Sequence, residues 1–170
     1  EEVRAGRTSF APDLPVSFAR GGFEVPLPDG RRAAVIRAMN VLRQYDEADV
    51  ADAWRTVAAR LAPNGLLIEG TCDEIGRVSS WVDVRPDGTP VRFTLSLRLA
   101  ELEQPSIVAE RLPKALIHRN VAGERIHALL VDLDREWDRA ASLSTFGATQ
   151  RFLAAATALR AQGWPILGGR

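Results

Sequence analysis

The chain has 170 residues, 46% of them hydrophobic and 26% charged, which suits one soluble globular domain with a core of its own. Acidic and basic residues balance at 22 each, so no long-range field marks a membrane surface or a nucleic acid as partner. No apolar run approaches the ~20 residues of a membrane helix, and the single cysteine, Cys72, excludes an internal disulfide and points to a reducing, cytoplasmic interior. Lys114 is the only lysine; the arginine bias fits a GC-rich genome better than a need for arginine forks.

Glu1 to Ala5 read as the middle of a helix, without Met or a cap, so further residues are expected upstream. Residues 1–9 form the tail of that amphipathic helix, ended by the Pro12 and Pro15 region. Residues 16–20 alternate as a short strand, which Gly21-Gly22 breaks. Pro26, Pro28, Asp29 and Gly30 make a turn-rich loop. Residues 34–42 are a nearly continuous apolar run, as expected of a strand buried on both faces.

Asp46 is the expected N-cap of a helix over 47–61, with Val50, Trp54, Val57, Ala58 and Leu61 on its inner face. Pro63-Asn64-Gly65 should end it in a left-handed turn, and residues 65–71 form a second buried strand. Strand, helix and strand make a βαβ unit. Val78–Val84 and Val91–Leu99 flank Asp87-Gly88 as a hairpin, the second strand wetting one face. Three helices follow, over 106–118, 124–141 and 146–162. Ile126, Leu129, Leu130, Leu133 and Trp137 mark the inner face of the second; Phe146, Phe152, Leu153, Ala156 and Leu159 mark that of the third.

Several runs carry a family resemblance. Phe18-Ala19-Arg20-Gly21-Gly22-Phe23-Glu24-Val25-Pro26-Leu27 looks like the third-strand loop of class I S-adenosylmethionine-dependent methyltransferases. Residues 34–42, ending Asn40-Val41-Leu42, resemble the fourth strand. Leu61-Ala62-Pro63-Asn64-Gly65-Leu66-Leu67-Ile68 is similar to the segment leading into the fifth. The likeness is to an uncharacterised bacterial methylase group and is strongest over residues 16–72.

It implies an α/β fold: a partial Rossmann-like methyltransferase sheet, parallel strands plus an antiparallel hairpin. Residues 1–104 would be the core, incomplete at its start, and 105–170 a helical cap. It implies S-adenosylmethionine as cofactor, with Gly22 and Phe23 at the adenine and Arg37, Ala38, Met39 and Asn40 beside the methionine portion. Tyr45, Thr71 and His118 would line the pocket of an unidentified acceptor, and the cap would shape its choice. Gly22 replaces the usual acidic residue, Ala34 replaces the usual Asp, and the sequence holds no Gly-x-Gly element. The strand at 35–42 should then present an open edge, covered by an upstream segment or by a second copy in a homo-oligomer. The alternative is an interaction domain that keeps the fold without the cofactor.

The remaining polar groups are read more plainly. Arg37 needs an ion-pair partner if it is buried. Asn40 either orients a ligand or caps its own strand end, and Tyr45 is either pocket or packing. Glu69, Cys72, Asp73 and Glu74 lie along and after the fifth-strand segment, where a carboxylate could act as a base but loop solvation is the simpler role. His118 and His127 lack the companions of a metal site, and Glu101 with Glu103 is a solvated strand end. Trp54, Trp81, Trp137 and Trp164 are packing residues. No residue is assigned as the catalytic base.

Overall fold

A computed structural model of the chain describes residues 18–168. The helix expected over residues 1–9 lies outside them. The elements are β1 (Ala33–Met39), α1 (Val50–Ala58), β2 (Leu61–Cys72), β3 (Val78–Val84), β4 (Pro90–Leu97), α2 (Lys114–Ile117), α3 (Arg125–Arg139) and α4 (Ala148–Ala161), with short 3-10 turns between. The strands form one open sheet in the order β1-β2-β3-β4. β1 and β2 are parallel; β2–β3 and β3–β4 are antiparallel. The molecule is thus mixed α/β, and the βαβ unit and the hairpin stand where the apolar patterns put them.

Side chains alternate along a strand, so the register sorts the sheet into two faces. Ala38, Glu69, Val82 and Phe93 lie in one row across it. That face takes the helices. Leu67, Val82 and Val84 pack with Val50, Trp54, Val57 and Ala58 of α1. Leu95 and Leu97 pack with Val108, Leu112, Ile126 and Leu130, and Leu133, Ala155 and Leu159 close the far end. Arg37, Ile68, Asp83 and Arg92 form a row on the other face.

Several sequence expectations need correction. Residues 18–20 are not a strand, and Phe18 is 55% exposed. β1 is therefore an edge strand among the described residues. It is not buried on both faces: Val35 is 59% exposed and Arg37 is exposed too. The helix over 47–61 is shorter: a 3-10 turn at Glu47–Asp49 leads into α1, and Leu61, 1% exposed, already belongs to β2. Asp46 makes no side-chain cap.

Pro63-Asn64-Gly65 does not end a helix, nor is Asn64 or Gly65 left-handed. These residues sit in a bulge where Ala33 pairs with Leu61 but Val35 pairs with Leu66. Glycine is required at 65 because a Cβ there would lie 2.8 Å from the Ala33 carbonyl oxygen. Pro113 splits the expected helix at 106–118 into a 3-10 segment, Pro105–Arg111, and the one-turn α2. Gly147, at φ 105°, separates Phe146 from α4, and Phe146 ends up 74% exposed. Leu153 is also exposed.

Candidate functional site

The parallel pair ends at Met39–Asn40 and at Thr71–Cys72, and these tips are tied together. Asn40 takes a left-handed φ of 63°, which an asparagine tolerates better than most side chains. Its backbone N–H donates to the Gly70 carbonyl at 2.7 Å, and its Oδ1 accepts the Cys72 N–H at 2.9 Å. Its Nδ2 points to the Cys72 sulfur at 3.3 Å. Asn40 thus caps a strand end, the neighbouring strand's as well as its own, and its side chain is occupied in doing so.

Thr71 does not line an open pocket. It is 2% exposed, and its hydroxyl donates to the Leu112 carbonyl at 3.3 Å. Ser80, paired directly with Thr71 on the adjacent strand, donates to the Arg111 carbonyl at 2.6 Å. Together they strap the 105–113 segment across the sheet. Arg43, just after the β1 tip, adds a bond to the Glu110 carbonyl at 3.2 Å.

Phe23, from the loop before β1, and Tyr45, from the turn after it, come together with ring centroids 5.1 Å apart and planes tilted by 53°. Phe23 is half-buried, packed like Ala33, Ile36 and Ala38 against the cluster that includes Leu42, Val50 and Leu67, while Tyr45 is 43% exposed. Between Gly22 and Val25 the chain turns, with the Val25 N–H donating to the Gly22 carbonyl at 3.1 Å. Val25 is forced to φ 38°, a strained value for a β-branched residue. Glu24 folds back over Gly22, whose N–H donates to Glu24 Oε1 at 2.9 Å. Backbone N–H donation from Glu24 itself and then from Gly22 holds this exposed carboxyl below the usual range.

The sequence reading saw Gly22 as the loss of an acidic residue. A carboxylate does lie over Gly22, that of Glu24, two positions on.

The other candidates stand apart. Arg37 lies exposed on β1, on the face opposite the helices, so the buried ion pair considered for it does not arise. Ala38 is half-buried against the core of α1 and the sheet, and Met39 is half-buried too. His118 is exposed at the end of α2. Its neighbour Arg119 pairs with Glu47 at 3.5 Å and with Glu124 at 3.9 Å. Among the described residues, no group of three or more His, Cys, Asp or Glu side chains converges as a metal site would, and no helix is long and apolar enough to cross a membrane.

A second feature lies on the helix-bearing face. Val50 and Trp54 of α1, Val82, Phe93, Leu116 and Arg119 surround a mostly apolar cleft of about 470 Å³. In the sequence Val50 and Trp54 read as one helix face; the hairpin and the one-turn α2 supply the other walls.

No family model, no curated protein and no solved structure matches the chain.

Proposed function

We propose that the chain takes part in S-adenosylmethionine-dependent methyl transfer, as a portion of a class I, Rossmann-like methyltransferase fold. The observation that carries this reading is the parallel β1–α1–β2 unit, whose carboxyl ends meet at Asn40 and Cys72. Ligands of α/β sheets bind beyond such ends. The segments before and after β1 contribute an aromatic pair and an ionised carboxylate. Phe23 and Tyr45 offer ring faces to a purine, and Glu24 offers an acceptor for its exocyclic amine. Ala38 and Met39 would adjoin the methionine portion, with Arg37 available to its carboxylate.

The cofactor, when bound, supplies a methyl group on a sulfonium that is already an activated leaving group. The share of this chain's residues is then to hold the ligand, orient it and exclude water. No metal or covalent enzyme intermediate enters this reading. The segment from 105 onward, strapped over the sheet by Thr71 and Ser80, would shape the acceptor side.

Thermal unfolding of the protein as its gene encodes it, with and without S-adenosylmethionine, tests this. Ligand at about 100 times its dissociation constant should add about 2.7 kcal/mol of stability, and Phe23→Ala or Glu24→Gln should weaken that gain. A second reading is an interaction domain without cofactor, favoured by the engagement of the Asn40 side chain with Cys72. It predicts no response to the cofactor at any concentration, and that result would remove the enzymatic reading.

A further inference from the structure

Three carboxylates are buried in the described structure, and they are not equivalent. Asp83 pairs with Arg92 at 3.6 Å, and Glu136 accepts from Arg139 at 2.7 Å. Glu69, 1% exposed, has one hydrogen bond among the described residues, from the Trp54 indole N–H to Oε2 at 3.2 Å. That donor is neutral. A charged carboxylate in an apolar setting without a cation is costly.

The surroundings of Glu69 are set by the register. Its neighbours across the strands are Ala38 on β1 and Val82 on β3, and α1 contributes Trp54. Strand alternation places Arg37 and Asp83, next to those neighbours, on the opposite face. On α1, Asp52 and Arg55 are exposed and pair with each other. On the strap and α2, Glu110 is exposed, and Arg111 and Lys114 are half-buried. None of these groups bonds to Glu69. Two of its direct neighbours, Trp54 and Val82, are also walls of the cleft between α1, the hairpin and α2.

We infer that Glu69 and Trp54 form a proton-operated latch for this cleft: the neutral acid keeps α1 closed on the sheet, and the carboxylate draws water in and parts them. The cleft is the hydration route that shares walls with Glu69, so ionisation acts there first. Opening exposes Val50, Trp54 and Val82 to small apolar molecules. Burial pushes the Glu69 carboxyl up to about 7, against a smaller opposing effect of the Trp54 indole. The latch therefore works across neutral pH.

The test compares the protein with its Glu69→Gln variant between about pH 5.5 and 8.5, using 1-anilinonaphthalene-8-sulfonate fluorescence and acrylamide quenching of tryptophan. In the unaltered protein both signals should rise with pH, with a midpoint near 7. The variant, permanently neutral at 69, should lose that titration. Every other titratable group is present in both proteins, so the difference isolates Glu69. Carboxyl ¹³C NMR of Glu69 gives a second measurement that does not depend on the variant folding. The inference is overturned if the variant titrates like the parent, if neither signal changes with pH, or if the Glu69 resonance titrates in the ordinary glutamate range.

Discussion

Replacing Asn40 separates its two contributions, because the residue combines a left-handed backbone with hydrogen bonds to the neighbouring strand. Asn40→Ala removes the acceptor for the Cys72 N–H, at about 1 kcal/mol for a bond that is partly exposed. It also forces an alanine Cβ into φ 63°, at about 1–2 kcal/mol. The expected loss is therefore about 2–3 kcal/mol. Asn40→Gly loses the same bonds but not the steric penalty, so it should be less damaging than alanine by about 1 kcal/mol, despite glycine's greater freedom when unfolded. Asn40→Asp keeps the acceptor and loses only the weak contact from Nδ2 to sulfur, for under about 1 kcal/mol. Urea unfolding followed by circular dichroism gives all three values, provided the slopes agree. The order aspartate, glycine, alanine from mildest to worst is the signature of a strand cap. Equal stabilities for all three, or alanine milder than glycine, would refute it and free Asn40 for a role toward ligand.

Glu69 should make global stability depend on pH. Its folded value lies above the unfolded one, so its contribution is fully present below about 4.5 and is lost as pH rises through about 7. A displacement of that size corresponds to about 3 kcal/mol, and urea midpoints of Glu69→Gln should show that fall largely abolished. Gly70→Ala should cost about 3 kcal/mol in the same assay, since a Cβ there would collide with the Ser80 carbonyl oxygen and Trp81. Arg151 stacks 3.8 Å from the Trp137 ring and donates from Nε to the Trp137 carbonyl at 2.8 Å. Arg151→Lys should lower stability by about 1–2 kcal/mol, because an ammonium cannot keep both contacts; an unchanged melting temperature would contradict this.

Elements with a strong internal period were legible in the sequence. β3 and β4 flank a turn marked by Asp87-Gly88, and Gly88 takes φ 82° there. The face of α3 was equally clear, because Ile126, Leu130, Leu133 and Trp137 return every turn and are buried. The misjudged boundaries depend on distant partners. Leu61 fits the helical stripe of α1, yet pairing with Ala33 draws it into β2. Whether β1 has one neighbour or two cannot be read from its own apolar residues. At the candidate site, Phe23 and Tyr45 were both singled out, but their contact spans a strand and a turn. The return of Glu24 over Gly22 depends on a strained Val25 that no composition announces. Glu69 already lay within the expected strand at 65–71 but was grouped with the solvated polar residues after it; which face it takes, and so its burial, is set by the pairing with Ala38 and Val82.

The hydroxyls of Thr71 and Ser80 reach carbonyls 41 and 31 residues further along the chain. Such distant partners exist only after the hairpin has registered against β2, since Thr71 pairs with Ser80 across those strands. The strap at 105–113 has little helical period of its own and takes its shape from that prepared surface. α3 then docks on the strap and α4 on α3, which makes the carboxy-terminal third a late arrival in assembly, waiting on long-range contacts that close slowly.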